Sequence, residues 1–149
     1  MRRYPGLILI FVLIGGLTSF AAKEESLEQL IARADAARPD QQPDLYMQVA
    51  DRLLKSASES YKDSRRDQFH SEVQGMVKYC DSAHSAALHS NKHVKRTEIK
   101  IRQIATRLRD IKLNLEVDDQ QQIQTAIDRL EGFRTELLHS MFGSKNNND

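Results

Sequence analysis

Between Val94 and Leu115 the apolar residues Val94, Thr97, Ile101, Ile104, Leu108, Ile111 and Leu115 step forward by three and four in strict alternation. A stripe of that period lies along one side of an α-helix and must be covered by apolar partners over its whole length. The remaining faces carry Lys92, Lys95, Arg96, Lys100, Arg102, Arg107, Arg109 and Lys112 against Glu98 and Asp110. One long, basic, amphipathic helix is therefore expected here, with the other helices packed around it. No strand is expected, because no run alternates with period two and no tight hairpin turn such as Asn-Gly occurs. Glycine and proline are scarce and tryptophan is absent, while Ala, Leu, Gln, Glu, Lys and Arg are plentiful, which favours helix.

The N-terminus reads as an export signal over residues 1–21. Arg2 and Arg3 form a positive start, Leu7 to Leu17 an apolar run, and Ser19 and Ala21 the small residues that precede a cleavage site. The apolar run is short for a membrane span of roughly 20 residues, and Gly15 and Gly16 weaken it as a helix. No stable membrane span is expected once the signal is removed. The protein is expected in the periplasm or outside the cell, and a small disulfide-free chain with a single cysteine, Cys80, suits a bacterial envelope. The net charge of +1 includes Arg2 and Arg3, so the exported chain is close to neutral. A nucleic-acid binder is not expected, since bulk binding needs a strongly basic chain.

After the signal, residues 22–142 are expected to form one all-α domain, a bundle of four long helices and one short N-terminal helix, with residues 143–149 a disordered polar tail. Ser26 and Gln29 form a capping box for the first helix, which should stop near Ala37 because Pro39 excludes Arg38 from helical geometry. Asp40 is expected to cap the second helix, with Pro43 in its first turn. Its apolar face is Leu45, Tyr46, Val49, Ala50, Leu53, Leu54, Ala57 and Tyr61. Lys62-Asp63-Ser64 reads as a turn with a new cap. The third helix, to about Ser90, carries Phe69, Val73, Met76, Val77, Cys80, Ala83, Ala87 and Leu88. Asn91-Lys92-His93 should break the chain before the basic helix, and Glu116 to Asp119 should form the loop after it. The last helix, from about Gln120 to Phe142, buries Ile123, Ala126, Ile127, Leu130, Phe133, Leu137, Leu138 and Met141. The last two helices should pair as an antiparallel, coiled-coil-like hairpin, and the middle two as a second hairpin.

Tyr61 before the middle turn, and Phe69 and Val73 after it, occupy the aromatic and apolar packing positions of a helix–turn–helix. On those residues Tyr46 to Ala83 resembles one repeat of the tetratricopeptide kind, and the chain as a whole is similar to small exported helical bacterial proteins of unassigned activity. It departs from the repeat at His70, where a small residue is usual, and no second copy with a period near 34 follows. The resemblance implies a scaffold for protein contact and supplies no site residues.

Catalytic residues, cofactors and metal ligands are not assigned. There is no Gly-x-Ser-x-Gly, no phosphate loop, no His-Glu-x-x-His and no Cys-x-x-Cys. Cys80 and His84, and His89 and His93, are four apart, the spacing that can place two ligands on one metal. However, Cys80 lies on the apolar stripe and the other pair straddles the expected break. The candidate contact residues are Lys95, Arg96, Arg102, Arg107 and Arg109 of the basic helix, facing an anionic surface or acidic protein. If the bundle itself neutralises them, acids such as Asp119, Asp128 and Glu136 are the expected partners. The function expected is a non-catalytic helical interaction or scaffold module of the envelope, with an envelope protein or a second copy as partner. The alternative is a periplasmic protein that binds metal or an anionic ligand and protects against stress.

Overall fold

The structure, a computed structural model, describes residues 25–143. Residues 1–21, read as the signal, and 144–149 of the expected tail lie outside it. Five helices follow in order: α1 (Leu27–Ala36), α2 (Gln42–Lys62), α3 (Arg66–Ser90), α4 (Val94–Lys112) and α5 (Val117–Phe142). No strand occurs among the described residues, and the protein is an all-α bundle of four long helices and one short one.

Local chemistry sets the boundaries. At α1 the Ser26 hydroxyl accepts from the Gln29 backbone N–H at 3.2 Å and the Gln29 side chain accepts from the Ser26 N–H at 3.0 Å, the reciprocal capping box. Asp40 does not cap α2. The Arg38 carbonyl accepts from both Gln41 and Gln42, which starts the turn one residue later, so Gln41 is the cap and the Asp40 carboxylate instead takes the Arg38 guanidinium at 3.0 Å. Ser64 does not cap α3 either. It takes a left-handed backbone (φ 59°), and Arg65 precedes the helix without a side-chain cap. Asn91 and His93 are also left-handed, which makes the sharp break between α3 and α4. The basic helix stops at Lys112, three residues earlier than its stripe suggests. The Leu115 N–H bonds the Lys112 carbonyl, and this tighter turn still delivers Leu115 to the core. In turn α5 begins at Val117, three residues earlier than expected, with Asp118 and Asp119 in its first turn.

Two antiparallel hairpins stack to make the bundle. In the first, Ser56 of α2 meets Glu72 of α3, and Tyr61 meets Phe69 with ring centroids 5.3 Å apart. In the second, Arg109 and Lys112 of α4 meet Glu131 and Gln124 of α5. The hairpins stack so that α2 runs parallel to α4, with Arg96 on Asp44 near one end and the Tyr61 hydroxyl on the Asn114 carbonyl near the other. Likewise α3 runs parallel to α5, joined by His70 with Asp119 and His84 with Glu136. Among the helices, α1 touches α2 alone, where Tyr46 donates to Asp35 and Arg52 donates to the Glu25 carbonyl.

Of the α4 stripe, Val94, Thr97, Ile101, Ile104, Leu108 and Leu115 are buried and Ile111 is half-buried. Its partners are Leu54, Phe69, Met76, Ile123, Leu130 and Leu137 in one continuous core. The stripe is thus covered within the chain. Met47, absent from the expected face of α2, is fully buried, whereas Leu138, expected inside, is exposed. Substituting Ile104→Asp puts a carboxylate where no water or partner can reach it. Loss of the helical far-UV circular dichroism signal at ambient temperature is the expected outcome, and an unchanged spectrum would contradict the placement of Ile104.

Candidate interaction surface on the basic helix

The basic character of α4 follows from its sequence: the core takes one stripe, and the other faces hold seven Lys and Arg against Glu98 and Asp110. The five candidate contact residues divide by what they touch. Arg96 reaches across to α2 and holds Asp44 at 2.7 Å, with the His93 ring 3.7 Å from the same carboxylate oxygen. Arg102 lies 3.9 Å from Glu98, and Arg109 pairs with Glu131 of α5. Lys95 and Arg107 have no carboxylate within ion-pair distance among the described residues.

Two of the five belong to a network that closes the second hairpin. Glu98, only 5% exposed, receives both Nε and Nη2 of Arg134 at 2.9 Å on one oxygen, and Arg134 Nη1 reaches Glu131 at 2.6 Å. The sequence Arg102, Glu98, Arg134, Glu131, Arg109 therefore alternates in charge along the α4–α5 seam. The acids expected to neutralise α4 are used elsewhere. Asp119 is buried against His70 at 3.0 Å and Arg66, Glu136 lies beside His84, and Asp128 accepts from Gln124. Asp44, Glu98 and Glu131 do that work instead, because α4 faces the start of α2 and the middle of α5, a register that composition does not reveal.

Around Arg107 the geometry opens a groove of roughly 500 Å3 between α2 and α4. Leu54 and Ile111 form its floor, Lys55, Lys62 and Arg107 its cationic rim, and Ser58, Glu59 and Asp110 the rest of its wall. Nothing in the sequence marks Lys55 and Lys62 as contacts. They sit seven residues apart on the mixed-charge face of α2, and only the parallel packing of α2 on α4 brings them to Arg107. Lys95, in contrast, stands near the start of α4 beside Val94 and Ile99, away from this groove.

The histidine and cysteine pairs do not assemble a ligand set. Cys80 is fully buried, with Met76 sulfur at 3.9 Å, and burial pushes its thiol well above the ordinary range, which disfavours the thiolate. His84 stacks on Phe133 with ring centroids 5.0 Å apart, its Nε2 lying 3.1 Å from Glu136 without hydrogen-bond alignment. His89 is exposed on α3, and His93 turns toward Asp44. No group of three or more His, Cys, Asp or Glu side chains able to hold a metal occurs among the described residues. Nor, among them, is any helix long and apolar enough to cross a membrane.

No family model matches the chain, and neither does any curated protein or solved structure.

Replacing Glu98 by Ala leaves the Arg134 guanidinium with Glu131 alone in a poorly solvated position. A loss of about 3 kcal/mol is expected, the lower end for breaking a buried pair, read as a fall in chemical-denaturation midpoint with an unchanged slope. A change within experimental error would mean that Glu98 is solvated and the network contributes little.

Proposed function

We propose that the protein is an exported, non-catalytic interaction module of the bacterial envelope, which offers its α2–α4 face to an acidic partner protein. One observation carries this reading: Lys55, Lys62 and Arg107, from two different helices, rim an apolar-floored groove and have no carboxylate within ion-pair distance among the described residues. Elsewhere on the bundle, most arginines are held by acids of their own chain. Cations that are left unpaired beside the half-buried Ile111 suit an acidic, amphipathic segment, whose carboxylates meet the rim while an apolar side chain covers Ile111. The two acids in the wall, Glu59 and Asp110, favour a partner that carries cations of its own between its carboxylates, which gives selectivity over a uniformly anionic surface.

The stacked antiparallel hairpins, with α2 parallel to α4 and α3 parallel to α5, also support the resemblance to tetratricopeptide-like packing, in which paired helices present a surface to a partner segment. Residues 1–21 supply the expected route out of the cytoplasm.

The test is crosslinking of the tagged chain in living cells, followed by mass identification of what is captured, for the wild type and for a Lys55→Glu, Arg107→Glu variant. Both positions are exposed, so each substitution should change stability by no more than about 0.5 kcal/mol. One dominant acidic protein captured by the wild type and lost in the variant, with melting temperature retained, is the expected result. Capture that is insensitive to both reversals, or no capture at all, would overturn the reading.

A further inference from the structure

The α2–α4 groove carries its charges in bands. Asp44 holds Arg96 and the two helices run parallel, so equal steps from that pair reach residues at one level. Eleven residues on stand Lys55 and Arg107, both cations. Fifteen residues on stand Glu59 and Ile111, with Asp110 one place before Ile111. Lys62 closes the α2 wall, one residue past Tyr61, whose hydroxyl reaches the Asn114 carbonyl. Along the groove the sign therefore runs positive at Lys55 and Arg107, negative at Glu59 and Asp110, and positive again at Lys62. All five are exposed, and none has an ion-pair partner among the described residues. The half-buried Ile111 lies at the level of the middle band.

The spacing of the bands selects the shape that can match them. Lys55, Glu59 and Lys62 are four and three residues apart on one stripe of α2, about 6 Å and then about 4.5 Å along the axis. A partner helix rises by the same amount per residue. An acid, a base and an acid at its first, fifth and eighth positions share one face and meet all three bands. An extended segment shows the same face only at every second residue. Two acids on that face stand about 7 or about 13 Å apart, and miss the roughly 10.5 Å between Lys55 and Lys62.

The walls select the same shape. Both are helices, whose backbone groups bond within the helix. Near the end of the groove the Glu59 and Ile111 carbonyls accept from Asp63 and Asn114, and the Asp110 carbonyl accepts from the Asn114 side chain. An extended segment laid here would leave its own N–H and C=O groups without partners at the contact, whereas a helix brings its backbone bonds with it.

From this arrangement we infer that the occupant of the groove is an amphipathic α-helix of the partner protein, with two acids seven residues apart and a base between them. Laid parallel to α2, it reads acid-x-x-aliphatic-base-x-x-acid. Its acids meet Lys55 with Arg107 and then Lys62, its base meets Glu59 and Asp110, and its aliphatic residue covers Ile111. The first acid and the base are four apart in the favourable order, so they also support the helix before it binds. This inference rests on the reading of the groove as the site of an acidic partner, and adds the backbone form of that partner and the spacing of its charges.

Backbone amide shifts of the full chain, titrated with two synthetic peptides, test it. One peptide carries Glu-Ala-Ala-Leu-Lys-Ala-Ala-Glu in an alanine-rich helical frame. The other has its two glutamates and lysine at alternate positions, between prolines that hold it extended. The helical peptide should shift the amides of Lys55, Glu59, Arg107 and Ile111 saturably, and bind at least about tenfold more tightly than the extended one. It should lose at least about tenfold in the Lys55→Glu, Lys62→Glu variant, and a peptide with lysine for both glutamates should reverse that preference. An extended peptide that binds as well or better overturns the helical form and leaves the acidic-partner reading standing. A helical peptide that shifts none of these amides at about 1 mM overturns the inference as well. The groove reading then stands only if the acidic protein crosslinked in cells is still lost in the Lys55→Glu, Arg107→Glu variant, and it falls with the inference if capture is insensitive.

Discussion

Everything in this bundle depends on covering one apolar stripe, Val94 to Leu115, that cannot stand in water. Burying it takes contributions from α2, α3 and α5, and those contributions set the architecture. The first hairpin supplies Leu54, Phe69 and Met76, and the last helix supplies Ile123, Leu130 and Leu137. Once the stripe faces inward, helical geometry leaves the cations of α4 no place but the two flanks and the outside. The flank toward α5 is neutralised by Glu98 and Glu131, and the flank toward α2 only at its start, by Asp44. The unpaired charge that remains around Arg107 is therefore a consequence of the same constraint that builds the core.

A buried acid on a basic helix is the second consequence. Glu98 lies on the edge of the seam, where close packing of α4 on α5 excludes water. A lone carboxylate there would be costly, and the two-nitrogen contact from Arg134 offsets that cost. Because Arg134 also takes Glu131, and Glu131 takes Arg109, the pairing fixes the register of the hairpin as well as its charge.

Periodicity made much of the fold legible. The stripes of α2, α3, α4 and α5 are written at intervals of three and four, and the capping box at Ser26 and the break at Asn91 are local chemistry. Two helix starts depart from the residues best suited to cap them, for one reason. Asp40 and Ser64 are good cap residues, but the preceding backbone, with Arg38 accepting twice and Ser64 left-handed, moved each start by one residue. The candidate surface was less legible. A sequence shows that α4 is basic, but the pairing of each cation depends on which acid lies across the seam. Asp44 and Glu131 are distant in sequence, and nothing in their neighbourhood marks them as partners. Lys55 and Lys62 were hidden similarly, as two ordinary charges on a mixed face. The spacing of Leu138 fits the stripe edge and predicts burial, and only the close pairing of Arg134 with Glu98 shows that its side of α5 is already at the rim.

Hydrogen exchange of the backbone amides of α4, followed as the protein is diluted, tests most directly whether the stripe is satisfied within one chain. The slowest amides should lie between Ile101 and Leu108, with protection close to that of global unfolding and independent of concentration. Protection that fades on dilution would show that a second chain covers the stripe, and would contradict the intramolecular core from which the rest of the structure follows.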